Sequence, residues 1–175
     1  MNTEKYLIAY FAQKGNEKTS NSAKLAEQAA TLLKDKGVDY ETFVITPTEE
    51  YPSDPEAFRI ATKAEHDLKS RPELTAKHGG MKYVKDILLI APNWYDSVPA
   101  AVFSFLDDYD FTGKRVVPVI STKEDAVKVR CEIRDFLPNT WVLDGVDVLE
   151  DNTADASAEM KEAVAQLFQP STSKH

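Results

Sequence analysis

The sequence predicts an α/β fold: a five-stranded parallel sheet in the order 2-1-3-4-5, covered by helices on both faces to give a three-layer sandwich. Tyr6-Leu7-Ile8-Ala9-Tyr10-Phe11 and Ile87-Leu88-Leu89-Ile90-Ala91 are continuous apolar runs, the pattern of strands buried on both faces. Strand-like and helix-like patterns alternate along the chain, so the crossovers are right-handed strand-helix-strand units. The first and third strands are the most apolar, which makes them central. A ligand crevice then falls at their carboxyl ends, where the strand order reverses.

The elements follow in order. After the first strand, Leu25, Ala26, Ala29, Leu32 and Leu33 give a helix one apolar face, ending at Gly37. Tyr40 to Ile45 is the second strand. PTEEYPSDP leads into a helix from about Pro55 to Ser70, stopped by Arg71-Pro72, and Glu73 to Gly80 is a surface linker. Val84 to Ala91 is the third strand, and a helix follows Pro99 with Val102, Phe103 and Leu106 inward. Arg115 to Ile120 is the fourth strand, whose Pro118 calls for an edge or a bulge. A helix from about Lys123 to Leu137 ends at Pro138. A fifth strand starts at Trp141 and extends past Asp144-Gly145 to Leu149, and residues 154–168 form the last helix. Residues 1–169 read as a single domain and 170–175 as a disordered tail.

The formal charge of -8 argues against a nucleic-acid partner, because phosphate-backbone binding needs clustered Lys and Arg. Strand one begins almost at once, with no basic-then-apolar leader and no apolar run of membrane-spanning length, so the chain is expected to be cytoplasmic. The single cysteine, Cys131, reads as a small apolar residue on a helix face, and the three histidines lack metal-ligand spacing.

The loop after strand one offers two small-polar clusters, Lys14-Gly15-Asn16-Glu17 and Thr19-Ser20-Asn21-Ser22. Helix phase separates them. The apolar face begins at Leu25, so a helix starting at Thr19 to Ser22 places these hydroxyls beside the free N–H groups of its first turn. A helix starting near Glu17 would put Lys18, Ser20 and Asn21 in turns with no apolar face. The second cluster is therefore the candidate anion cradle.

TSNSAKLAEQAATLL resembles the phosphate loop and first helix of flavodoxins, whose pattern is T-x-[T or G]-N-T followed by two residues and a Leu-Ala or Ile-Ala pair. Thr19 and Asn21 match, Ser20 stands where Gly is usual, and Ser22 replaces the last Thr. The preceding QKGNEK is then an insertion between strand and loop. PNWYDSVPAAVFSFLDDYDFTGK, residues 92–114, is similar to the family's P-x-W-W-G-x-x-P, A-V-x-x-F-L and Y-D-F-x-G-K segments. PNTWVLDGVDV, residues 138–148, resembles P-N-A-x-V-L-D-G-x-x-V. The resemblance runs from strand one to strand five.

It implies a flavodoxin-like fold that binds FMN and acts in electron transfer or as a small, NAD(P)H-linked flavin oxidoreductase. It implies a phosphate held by Thr19, Ser20, Asn21 and Ser22. The isoalloxazine ring would lie against Pro92, Asn93, Trp94, Tyr95 and Asp96, with Ser121 and Thr122 at its pyrimidine edge. Adjacent aromatics at a strand end suit a flat ligand that stacks. The flavin carries the redox step, so no catalytic residue and no metal is assigned. The expected partners are FMN and a redox protein or small acceptor, with no nucleic acid and no membrane, for a monomer or homodimer.

The sequence departs from the pattern at Ala12, Ser20, Asp96 and Lys123-Glu124-Asp125, where the usual residues are Ser, Gly, Gly and a Gly/Ser-rich turn. These departures leave an alternative, a flavodoxin-like fold that has lost FMN and serves as an interaction module. A phosphoacceptor receiver domain shares the strand order, but strand one ends Tyr10-Phe11-Ala12 without the acidic pair that such a domain needs for magnesium.

Overall fold

The computed structural model describes residues 5–170; most of the expected tail, residues 171–175, lies outside them. In chain order the elements are β1 (Lys5–Phe11), α1 (Asn21–Asp35), β2 (Tyr40–Ile45), α2 (Pro55–Leu68), β3 (Val84–Pro92), α3 (Ala100–Asp108), β4 (Arg115–Thr122), α4 (Val127–Phe136), β5 (Trp141–Val142), β6 (Val146–Leu149) and α5 (Ser157–Leu167). All strand pairings are parallel, in the order β2-β1-β3-β4-β5, with β6 also on β4.

Alternation along the strands builds the two cores. Leu7, Ala9, Ile87, Leu89, Val116 and Ile120 face α3 and α4, while Ile8, Leu88, Ile90, Val117 and Val119 face α1 and α5. Both sets are buried, so the continuous apolar runs of β1 and β3 are explained by a sheet without a wet face.

The fifth strand is split. β5 pairs with β4 at Arg115 and Val116, β6 at Val119 to Thr122, and between them the chain turns away opposite Pro118. Pro118 has no N–H to donate, and the interruption is where a donor is not required. Gly145 sits in this turn at φ +68, and a Cβ there would lie 2.1 Å from the Pro118 carbonyl oxygen. The bulge expected of the proline is thus a close backbone approach closed by a glycine.

Three expectations need adjustment. The fourth helix starts at Val127, not Lys123, because Asp125 and Asp147 accept from the N–H groups of Val127 and Ala126 and fix the start there. Cys131 lies on α4 but is exposed. The linker at 73–80 is tied down, since Leu74 is buried and bridges Pro47. No described helix is long and apolar enough to cross a membrane.

Candidate functional site

The carboxyl ends of β1, β3 and β4 lie side by side, and their loops form one edge of the molecule. In the first loop, Asn16 accepts through its carbonyl from the N–H groups of Thr19 and Ser20 (both 3.1 Å), which turns the chain into α1. Ser20 is the N-cap, and its hydroxyl accepts from Ala23 N at 3.0 Å. Asn21 and Ser22 are then the first two helical residues, whose N–H groups have no intrahelical acceptor. The Asn21 amide oxygen accepts from Thr153 Oγ1 at 3.1 Å, which ties the turn before α5 to this helix start. Ser22 is buried, Thr19 is exposed, and no acidic residue stands in the first turn.

Gly15 lies apart from this cradle. It is exposed at φ +95, and its N–H is taken by the Glu17 carboxylate at 3.0 Å. The Tyr10 hydroxyl donates to Glu17 O at 3.0 Å, securing the loop to β1. Partial burial, and then the Glu17 charge, push this phenol above its ordinary pKa.

The second loop continues β3 beyond Pro92. Asn93 N donates to Ser121 O (2.9 Å) and its side-chain amide to Thr122 Oγ1 (3.1 Å), so the second and third loops are joined. Trp94 and Ser97 exchange both backbone hydrogen bonds, at 2.8 and 3.1 Å, around a two-residue turn. Tyr95 and Asp96 occupy that turn at φ 61 and 60. Two left-handed residues are what a type I′ turn requires, and neither is the glycine that accepts it most readily. The turn is bracketed from both sides. The Ser97 hydroxyl donates to Glu132 and Lys128 approaches Asp96 at 3.7 Å, both from α4, while the Tyr95 hydroxyl reaches Thr62 Oγ1 at 2.6 Å on α2.

Trp94 is half-buried among three rings that stand nearly perpendicular to it: Phe11 at 5.2 Å, Phe58 at 5.5 Å and Tyr51 at 6.0 Å. The Tyr51 hydroxyl donates to Glu65 at 2.6 Å; burial, then that carboxylate, drive its pKa far above the ordinary phenol value.

The third loop keeps Ser121 and Thr122 buried at the end of β4. Where the family pattern has a Gly/Ser-rich turn and this chain has Lys123-Glu124-Asp125, Asp147 of β6 accepts from Ala126 N (3.0 Å) and pairs with Arg130 through both carboxylate oxygens (2.9 and 3.2 Å). The fold thus brings all eleven sequence-predicted residues to one edge, in three adjoining loops. Sequence reasoning missed Phe11, Tyr51, Phe58 and Thr62 around the aromatic pair, and Asp147 beneath the third loop. Tyr51 and Phe58 follow β2, whose end the crevice rule does not single out, so spacing offered no signal for them.

The donor set fits a phosphate monoester and a flat ring. Hydroxyls and free N–H groups on a first turn that holds no acidic residue suit the first, and exposed Tyr95 beside half-buried Trp94 suits the second. Depressions of about 550 and 1270 Å³ lie elsewhere, at the amino ends of the strands, lined by Lys5, Glu41 and His78 in one and by Asp86, Arg115 and Trp141 in the other.

Solved structures share this architecture. A candidate flavoprotein from Bacteroides eggerthii superposes with a TM-score of 0.75 at 19% identity, over 95% of this chain and 99% of that one. A second, from Bacteroides uniformis, gives 0.67 at 23% identity over 86% and 96%. A flavoprotein from Lactobacillus acidophilus, solved in complex with FMN, gives 0.64 at 18% identity over 88% and 98%. No curated protein matches the sequence significantly. The flavodoxin family model matches residues 5–166, nearly all of the described chain, and the protein belongs to the flavodoxin family.

Proposed function

We propose that the chain binds FMN along the carboxyl edge of its sheet and works as an electron carrier or a small flavin-dependent oxidoreductase. The observation that carries this reading is the pairing on neighbouring strand ends of an uncharged, hydroxyl-rich helix start, Thr19 to Ser22, with the aromatic turn at Trp94 and Tyr95. The flavin, when bound, supplies reversible electron and hydride transfer. The chain's own groups bind and orient. Ser22 and the first N–H groups of α1 hold the phosphate, Trp94 and Tyr95 hold the ring, and Asn93, Ser121 and Thr122 present amide and hydroxyl groups to its polar edge. The FMN complex of the Lactobacillus acidophilus neighbour supports the choice of ligand by analogy of fold.

The test is a titration of purified protein with FMN, followed by absorbance and by quenching of flavin fluorescence, on wild type and Trp94→Ala. Saturable quenching that weakens about tenfold or more in the variant is the expected result, the effect of losing one aromatic contact of order 1.5 kcal/mol. Colourless protein that quenches no added FMN would overturn the reading. That outcome would favour an interaction module, a reading supported by the ring cluster already packed around Trp94.

A further inference from the structure

The segment between β2 and β3 leaves the sheet edge and returns to it as a closed excursion. Thr48 N donates to Glu73 O at 2.8 Å and Thr75 N to Thr46 O at 2.9 Å, around the bridge between Pro47 and Leu74. This two-rung neck pins the ends of residues 49–72, which carry α2. Only Thr62 of α2's 14 residues is fully buried, and among the described residues no other helix or strand runs closely along it.

The excursion is fastened unevenly. Near the neck, Arg71 pairs with Asp107 at 3.2 Å and lies over the rings of Phe103 and Phe136, and the Ser104 hydroxyl donates to Pro72 O. Along Tyr51 and α2 its contacts are with the aromatic turn. Phe58 and Tyr51 meet Trp94 edge-on, and the Tyr95 hydroxyl bonds Thr62 Oγ1 at 2.6 Å and Arg59 O at 3.2 Å. Opening that side breaks side-chain hydrogen bonds, three ring contacts (Tyr51 and Phe58 on Trp94, His66 on Tyr95) and the approach of Lys63 to the Tyr95 ring, and releases no fully buried apolar side chain of α2.

We propose that residues 49–72 form a lid hinged at the 46–48/73–75 neck, latched by Thr62 to Tyr95, in which Tyr51 and Phe58 hold the place against Trp94 that a flat isoalloxazine ring takes when it binds. This rests on the flavin reading of the edge. Closed, the lid shields Trp94 with its own aromatics; open, it admits the ring and leaves Tyr51 and Phe58 as its outer wall. The binding-competent population is then set by the latch, so apparent affinity and association rate both depend on Thr62.

The test uses the full chain with Trp141→Phe, which leaves Trp94 as the single tryptophan. Acrylamide quenching of Trp94 fluorescence, without cofactor, reports lid opening. Thr62→Val keeps shape and removes the hydroxyl; it should raise the open population, and with it both Trp94 quenching and the stopped-flow association rate of FMN, by about fivefold, the effect of one neutral hydrogen bond. Phe58→Leu should move both in the same direction and serves if Thr62→Val folds poorly. Unchanged quenching in both variants overturns the lid, whether or not FMN binds. Increased quenching with no FMN binding to any form overturns the assigned occupant and the flavin reading together, while the hinge stands. Increased quenching with faster FMN association supports the whole proposal.

Discussion

Gly145 is the residue whose identity is most tightly constrained by its surroundings. Its φ of +68 is left-handed, and its would-be Cβ meets the Pro118 carbonyl oxygen at 2.1 Å and the proline ring at 2.8 and 2.9 Å. Backbone on one side and a rigid ring on the other leave nothing flexible to yield. Gly145→Ala should therefore cost about 3 kcal/mol or more, the sum of a left-handed penalty and a steric shift. The check is urea unfolding: the midpoint should fall with the slope unchanged, and a midpoint within error of wild type would mean that β5 and β6 part without strain. Tyr95 and Asp96 share the left-handed backbone, but their side chains find partners on α2 and α4, at Thr62 and at Lys128, which offset the conformational strain. The contrast explains why an aspartate is tolerated where the family pattern has glycine, while Gly145 matches the pattern.

Among the elements, α4 shows how a loop that departs from a pattern is repaired by a residue far away in sequence. Without a glycine-rich turn, Lys123 to Ala126 still leave β4 and enter the helix, because the Asp147 carboxylate caps Ala126 N and grips Arg130. Asp147→Ala removes a cap and leaves a half-buried guanidinium without its carboxylate, with an expected loss of about 2 kcal/mol. If the Asp147→Ala melting temperature matched wild type, the third loop would be held by its own Asp125 contact instead. This dependence was not legible in the sequence, since Asp147 lies 21 residues from Ala126 and only the pairing of β6 with β4 brings them together. The helix start at Thr19 to Ser22 was legible, because helix phase and a local cap fix it within one turn. The rings around Trp94 were not. Phe11 read as strand core, and Tyr51 and Phe58 reached the site through the excursion rather than a strand end.

At the scale of the molecule, the strand order was legible because burial on both faces singles out β1 and β3, and central strands with helical crossovers leave few topologies. The split of the last strand was only half legible: Pro118 signalled an interruption, but its partner Gly145 had to be found in space. One sheet serves both cores, so loss of either uncovers the same strands, and unfolding should be a single cooperative transition. A ligand bound across the ends of β1, β3 and β4 is then linked to the stability of the whole chain rather than of one loop. If FMN binds there, a concentration about 100-fold above its Kd adds about 2.7 kcal/mol and should raise Tm by roughly 5–10 °C for a chain of this size. Riboflavin keeps the ring and lacks the phosphate, so at the same concentration its shift should be much smaller. Ser22→Asp, which puts a carboxylate into the first turn of α1, should shrink the FMN shift toward the riboflavin value while leaving the riboflavin shift in place. Equal shifts for FMN and riboflavin in the wild-type chain would show that Thr19 to Ser22 hold no phosphate and that α1 begins with an ordinary cap.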